Sequence, residues 1–393
     1  MAEVAEGFTR PAWAEIDLEA LGHNVSLLRR LVAPATPWVV VKADAYGHGA
    51  VPIARAALSA GAGGLAVAIV EEGLQLRRAG ISAPILVLSE PPPEAARAAV
   101  LGDLISTVYT DEGRAALSRA ATACGRSHGV HVKVDTGMHR VGAEPARVPS
   151  LVAAVASSEG LRFEGLWTHL SVAEGCSPDE RAFTASQLEL FDGLSAQLEE
   201  MGLAPRLRHA ANSAAAISWP RARYDLVRCG LAAYGELPSR SVEADLARAL
   251  GPARLRPVLT LRARVTLVRV LEAGARPSYG RRRPLPQRSF VATVPIGYAD
   301  GVPWRLFDAG GEVLIRGRRR PLAGSVTMDQ LIVDCGPEGD VAPGDEVVLL
   351  GRQGSEEVTA AEWASKLGTI SYEVLCGIGP RVPRFVRASS AAR

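Results

Sequence analysis

Val39-Val-Val-Lys42-Ala-Asp-Ala-Tyr46-Gly-His-Gly49 is a hydrophobic run that ends in a lysine and then meets two glycines. From Trp38 to Val41 apolar residues, three of them β-branched, fall on both faces of the run, the pattern of a strand buried on both sides in a parallel sheet. Such a strand delivers Lys42 to its C-terminal mouth, where barrel enzymes collect their chemistry. Partial desolvation there lowers an amine toward the nucleophilic range. A lysine that ends a strand is more often an ordinary solvated residue, so the rest of the chain has to decide.

Working outward, short apolar runs alternate with alanine-rich helical stretches. The runs are Trp38 to Lys42, Leu65 to Val70, Pro84 to Ser89, Leu104 to Tyr109, Val130 to Asp135, Leu161 to His169, Leu207 to Ala210 and Tyr224 to Arg228. Strands spaced by crossover-length segments over about 200 residues predict an α/β fold, a (β/α)8 TIM-type barrel, across residues 12–245. An open doubly wound sheet would give the same alternation, and Gly61-Ala-Gly63-Gly-Leu-Ala66 matches a loose dinucleotide fingerprint. That match follows a helical stretch and precedes a strand, the reverse of the order that aims a helix at a pyrophosphate. Over 246–393 the pattern changes to alternating segments, Leu259 to Leu271, Ser289 to Pro295, Glu312 to Arg316, Leu331 to Cys335 and Glu346 to Leu350, which predict a mainly antiparallel β domain interrupted by a helix at Ala360 to Leu367.

With 393 residues, 48% of them apolar and 22% charged, the chain can bury more than one core. A net charge of +2 gives no global field toward nucleic acid or an acidic membrane. The basic clusters Arg281-Arg-Arg283 and Arg316 through Arg320 lie beside turn residues without interleaved aromatics, so they are expected in solvated loops or partner contacts. Five cysteines without any C-x-x-C spacing argue against a disulfide framework and against zinc, and no metal site or triphosphate-binding loop is expected. Glu3, Glu6 and Arg10 interrupt the N-terminus, and no stretch approaches the ~20 apolar residues of a membrane span, so a cytoplasmic protein is expected.

Along Val130-His131-Val-Lys133-Val-Asp135, alternation puts His131, Lys133 and Asp135 on one face and valines on the other. In a barrel the valines pack under helices and the polar face points inward, where ionised groups need partners. Arg140, in the following loop, is the local candidate. A buried ion-pair network without function would give the same pattern.

Lys42-Ala-Asp-Ala-Tyr46-Gly-His-Gly resembles the pyridoxal-phosphate attachment motif of the alanine racemase family, the fold-type III barrel enzymes. Further segments resemble that family in order: Val132-Lys133-Val-Asp135-Thr-Gly-Met138-His-Arg140, Thr168-His169, Asn212-Ser213, Val227-Arg228-Cys-Gly230-Leu231, Tyr234-Gly, Ser278-Tyr279-Gly280, Ile296-Gly-Tyr298-Ala-Asp-Gly301, Met328-Asp329-Gln330, Ser371-Tyr372-Glu373 and Arg381-Val-Pro383. They run from about Trp13 to Pro383. The resemblance implies racemisation of alanine, supplying D-alanine for peptidoglycan, with Lys42 as the cofactor lysine and Tyr279 as the second base on the opposite face of the substrate.

It also implies that Tyr46, Tyr372, Asn212, Ser213, Gly230 and Leu231 hold the cofactor's phosphate region, and that Arg228 faces the pyridine nitrogen with His169 behind it. A guanidinium only donates, so it favours a neutral nitrogen and a weaker electron sink than an opposed carboxylate would. Arg140, Met328 and Tyr298 would meet the substrate, and Lys133 would be carbamylated. The resemblance further implies a homodimer in which Tyr279 and Met328 act across the interface, and an N-terminal strand near Trp13 to Leu18 that joins the β domain.

Two departures border the expected site. Arg281-Arg-Arg283-Pro284 stands where the family often has a hydroxyl or aromatic residue, and Thr327 stands where a cysteine is frequent. The other readings are a racemase for serine or a larger amino acid, an amino-acid decarboxylase, and a non-catalytic pyridoxal-phosphate-binding barrel. Arg228 and Asn212-Ser213 argue against the decarboxylase, and the carrier leaves the β domain unexplained.

Overall fold

A computed structural model describes residues Thr9–Arg387. The chain divides into two compact units. After the first strand, β1 (Ala12–Ile16), eight parallel strands belong to the unit formed by Ala20–Ala45 and Ala50–Arg256: β2 (Thr36–Val40), β3 (Gly64–Val67), β4 (Ile85–Val87), β5 (Ile105–Val108), β6 (His128–Lys133), β7 (Leu161–Trp167), β8 (Leu207–His209) and β9 (Leu226–Cys229). They are ordered β8-β7-β6-β5-β4-β3-β2-β9. Arg208 and Ala211 carbonyls accept from the Asp225 and Arg228 amides at 3.1 and 2.9 Å, so the first and last strands meet and the barrel nearly closes.

The expected alternation along β6 holds. Val130, Val132 and Val134 pack outward against Leu117, Leu151, Val152 and Val155 of the surrounding helices, while His131 and Lys133 are buried on the inner face. The Gly63-Gly64 pair has a packing reason. A Cβ at Gly63 would meet Thr36 Cγ2 at 2.3 Å and one at Gly64 the Trp38 ring at 2.7 Å.

The second unit combines the described residues up to Glu19, Tyr46–Gly49, and the chain from Pro257 onward. The division falls after Arg256 rather than near 245, because the helix Arg240–Leu250 buries Val242 and Leu246 within the barrel unit. Here lie β10 (Leu259–Arg264), β11 (Leu267–Leu271), β12 (Ser289–Val294), β13 (Glu312–Ile315), β14 (Arg318–Pro321), β15 (Leu331–Asp334), β16 (Glu346–Gln353), β17 (Glu356–Val358) and β18 (Arg384–Val386). One sheet runs β14-β13-β16-β10-β1-β18 with β17 on β16, and another runs β11-β12-β15. β1 is antiparallel to β10 and parallel to β18.

Leu259 to Leu271, expected as one segment, is two strands in different sheets. Val265 donates to Asp345 O and Thr266 to Thr293 O, so consecutive residues bond to different partners and the chain changes sheet between them. The basic cluster at 316–320 divides: Arg316 and Arg318 are exposed, as a solvated loop would have them, while Arg319 and Arg320 are drawn into ion pairs. Arg316 and Gly317, with φ of 54° and 72°, form the two-residue turn of the β13–β14 hairpin. Arg319 then meets Glu312, Glu356 and Glu362 at 3.1, 3.0 and 2.9 Å, and Arg320 meets Asp340 at 2.6 Å.

Among the described residues no helix is long and apolar enough to cross a membrane, no metal-ligating cluster forms, and the five cysteines are unpaired.

Candidate active site

β2 carries the chain to Lys42, and the next four residues, Ala43, Asp44, Ala45 and Tyr46, have φ of 51°, 51°, 55° and 54°. This is a left-handed turn, disfavoured by roughly 1–2 kcal/mol per residue for L-amino acids. Side chains hold part of it in place. The Ala43 amide donates to Glu72 Oε1 and the Ala50 amide to Asp44 Oδ1, each at 2.7 Å. Backbone strain concentrated directly after a lysine at a barrel mouth is the kind that functional sites retain.

The inner face of the barrel unit carries a chain of three bonded side chains. Arg228 on β9 donates from Nη1 to His209 Nδ1 at 2.7 Å, and its Nη2 donates to the Thr168 and Ala210 carbonyls and, at 3.2 Å, to His169 Nδ1. Because an arginine only donates, both histidines accept at Nδ1 and carry their proton on Nε2. His209 Nε2 then donates to His131 Nδ1 at 2.9 Å. Burial, with Arg228 second, holds His131 down to about 3 and His169 and His209 well below the ordinary range, so all three are neutral. Burial also draws Arg228 down, to about 9, and it stays charged at neutral pH.

Trp167, at the end of β7, underlies this chain. His209 stacks on its ring at 5.4 Å, while Arg228 Cζ and Lys133 Nζ lie 4.6 and 4.9 Å from the ring centroid. Lys133 is 2% exposed, and burial followed by the charges of Arg140 and Arg228 lowers it to about 8. Arg140, the local candidate partner for this face, makes no ion pair with Asp135 among the described residues. Asp135 Oδ1 accepts instead from the Gly137 and His139 amides, and its Oδ2 faces His139 Nδ1 at 3.3 Å. After burial, the charges of Arg228, Lys133, Arg140 and Lys42 are what hold His169 down. Such a concentration of positive charge suits an anionic ligand.

Asn212 caps the helix Ser213–Ser218, its side chain accepting from the Ala215 amide at 3.0 Å, so its carbonyl oxygen is committed to structure. Ser213 Oγ accepts from the Gly230 and Ala232 amides at 3.0 and 3.2 Å. Both lone pairs are therefore used, the Gly230 N–H is taken, and the Ser213 O–H is left as a donor.

The β unit assembles its own group. Tyr46 and Tyr372 place their rings 5.8 Å apart. Tyr298 and Met328 lie on adjoining loops, joined where the Tyr298 and Ala299 amides donate to Thr327 O and Met328 O at 2.9 and 3.0 Å. A Cβ at Gly297 would come 2.2 Å from Thr327 O, so only glycine permits this approach. Arg381 ties the two loops, reaching Asp329 at 2.7 Å and Asp300 at 3.3 Å, and Asp300 accepts from the Gly297 amide. Tyr298, Met328 and Tyr279 are 43%, 52% and 78% exposed.

Models of the alanine racemase N-terminal and C-terminal domains match residues 16–238 and 258–386. The alanine racemase of Symbiobacterium thermophilum is 47% identical over 97% of this chain and 98% of its own length. The crystal structure of alanine racemase from Streptomyces lavendulae superposes with a TM-score of 0.88 at 38% identity, covering 98% of this chain and 99% of that one. This chain belongs to the alanine racemase family. A histidine racemase from Leuconostoc mesenteroides shares the architecture at a TM-score of 0.85 and 27% identity, covering 97% of this chain and 99% of that one.

Against the alanine racemase motifs, Lys42, Lys133, Arg140, His169, Ser213 and Arg228 gather in the barrel unit, while Tyr46, Tyr279, Tyr298, Met328 and Tyr372 belong to the β unit. Sequence reasoning missed His209 and Trp167. Both lie at strand ends beside residues it did single out, and the inward parity of β8 and β7 was the signal that could have found them.

Proposed function

We propose that this member of the alanine racemase family carries pyridoxal phosphate on Lys42 and interconverts L-alanine and D-alanine by a two-base mechanism. The observation that carries the reading is Arg228, buried and charged between two histidines fixed as acceptors. No carboxylate is opposed to it, so a pyridine nitrogen meeting this donor would stay neutral. The concentrated positive charge and the spare Ser213 O–H fit the cofactor's phosphate and phenolate. By family resemblance Tyr46, Tyr372, Ser213 and the Leu231 amide would hold the phosphate, with Asn212 and Gly230 in support.

When bound, pyridoxal phosphate supplies an electron sink conjugated to the substrate's α-carbon. The chain's own groups do the rest. Lys42 Nζ takes or returns the α-proton on one face and the Tyr279 hydroxyl on the other, because a single base would return the proton to the side it left. Met328 N–H and Arg140 fix the substrate carboxylate, with Tyr298 narrowing the approach. Lys133, lowered to about 8, is neutral often enough to react with carbon dioxide. The amine would bond to the carbon of carbon dioxide and give its proton to solvent, leaving a carbamate anion to offset the charge of Arg140. The same reading makes the protein a homodimer, with Tyr279 and Met328 acting across the interface, in the cytoplasm.

The test is chiral chromatography of L-alanine and D-alanine incubated with the protein and pyridoxal phosphate, alongside Lys42→Ala. Convergence on equal amounts from either hand, lost in the variant, supports the reading. Likeness to a histidine racemase favours one second reading, a larger substrate. Retained chirality of alanine with loss of chirality of serine or histidine would establish that instead.

A further inference from the structure

Tyr279 is 78% exposed, and no hydrogen bond to its hydroxyl is made among the described residues. Within its own chain, its aim is set by the backbone that carries it. That backbone is held in an unusual shape: Ser278, Gly280 and Arg281 have φ of 66°, 75° and 45°, three left-handed residues around one tyrosine. A non-glycine residue there costs of order 1–3 kcal/mol and persists only where surrounding contacts enforce it. Two of those contacts come from serines. Ser278 Oγ donates to Ser325 O at 2.6 Å, and Ser325 Oγ donates to Tyr279 O at 3.1 Å.

A third comes from Arg276, whose Nη1 donates to Arg281 O at 3.1 Å, and others come from the arginines that depart from the family pattern. Arg282 Nη1 reaches Asp308 Oδ2 at 2.6 Å, and its Cζ lies 5.6 Å from the centroid of the Trp304 ring. Its stem passes beneath the turn, 3.1 Å from where a Cβ on Gly280 would be. Arg283 stacks on Phe307 at 4.6 Å and donates to the Leu322 carbonyl. Asp308, Trp304 and Phe307 all belong to the short segment after Pro303, so one stretch of chain anchors the turn from below. A half-exposed ion pair alone is weak. The cation–π contact with Trp304 adds to it, and the guanidinium can face both the carboxylate and the ring, which the single ammonium of a lysine does less well.

We propose that Arg282, through Asp308 and Trp304, is a positioning residue that aims the Tyr279 hydroxyl at the substrate's α-carbon. The inference rests on Tyr279 being the second base. It assigns the basic run a specific task within the turn. Misplacement of a reacting group by about 1 Å can cost on the order of 100-fold. Loosening a turn that keeps its serine bonds should cost less, roughly tenfold in kcat with KM little changed.

The experiment compares the holoenzyme with Arg282→Ala, Arg282→Lys, Asp308→Asn and Tyr279→Phe. It measures kcat and KM in both directions, and exchange of the α-hydrogen with deuterated water for each enantiomer separately. A loosened Tyr279 slows exchange of the one enantiomer it deprotonates, while exchange of the other, carried out by Lys42, stays within about twofold. Arg282→Ala is expected to show this one-handed loss, Asp308→Asn a smaller loss of the same hand, and Arg282→Lys an intermediate value. Should Arg282→Ala fail to fold, Asp308→Asn carries the test, since it removes the pair and keeps the shape. Equal loss for both enantiomers, or wild-type exchange in Arg282→Ala and Asp308→Asn beside an inactive Tyr279→Phe, overturns the positioning role and leaves the base assignment standing. Full activity in Tyr279→Phe overturns both.

Discussion

Arg228 Nη1 donates to His209 Nδ1 at 2.7 Å, and that bond fixes the tautomer of a histidine which in turn donates to His131. Replacing His209 by leucine leaves a buried guanidinium N–H without its acceptor, a loss of about 1–3 kcal/mol where the group stays desolvated. The expected outcome for His209→Leu is a fall in kcat of roughly 5- to 150-fold, if that loss falls on the transition state, with a smaller change in KM. Steady-state kinetics with each enantiomer checks it.

The buried histidines also predict an acid limit. Burial, as first cause, lowers His128 to about 4 and His131 to about 3, and lowers His169 and His209 well below the ordinary value. An unfolded histidine titrates near 6.5, so below that pH the unfolded chain binds more protons than the folded one. Stability from these groups is complete above about pH 7 and falls with acidification, by up to about 1.4 kcal/mol per pH unit for each histidine. Thermal melts at about pH 7.5 and about pH 5 should differ, and His128→Asn should narrow the difference. An equal drop in the variant would exclude His128 from the effect.

Thr327 closes the turn that presents Met328. Its Oγ1 donates to Gln330 O at 2.8 Å and accepts from the Gln330 amide at 3.2 Å. Thr327→Val keeps the shape and removes both bonds, so KM for alanine should rise severalfold with kcat nearly retained, the mark of lost ground-state binding. Thr327→Ser should match wild type. Thr327→Cys should fall between, because a thiol is a weaker donor and acceptor.

Much of this was legible in the sequence, and where it was not the reason is physical. The barrel strands read clearly because burial on both faces produces continuous apolar runs. Lys42, Lys133 and Arg228 read clearly because charge at the end of such a run is conspicuous. The change of sheet at Val265-Thr266 was not legible, since alternation continues unbroken across it and only tertiary partners distinguish the halves. The left-handed turn at Ala43 to Tyr46 was invisible for a similar reason. Asp44 alone has any leaning toward positive φ, the alanines and Tyr46 have none, and the Glu72 side chain that supports Ala43 lies far along the chain. The arginines of β14 looked like solvated charge because their carboxylates come from three other segments.

Those carboxylates make a prediction about stability. Arg319 is 31% exposed and is shared by Glu312, Glu356 and Glu362, with Lys366 bonded to two of them. Arg319→Ala would leave three acidic groups to one lysine. Partly exposed networks of this kind are expected to contribute about 1–2 kcal/mol, less at high salt. The midpoint of urea unfolding should fall at low ionic strength, and the gap from wild type should shrink in about 1 M salt as screening shortens the Debye length. A gap that does not change with salt would assign the loss to packing of the arginine stem.

β1 is an interior strand whose neighbours are β10 and β18, encoded near residue 260 and at the far end of the described chain. During synthesis, at roughly 5–20 residues per second, its second neighbour follows it only after about 20–70 seconds. For that interval Ala12-Trp-Ala-Glu-Ile16 has two open edges and an apolar face, the situation in which nascent strands join the wrong chain. Expression at lower temperature or with a holding chaperone should therefore raise the soluble yield more than any substitution in the barrel.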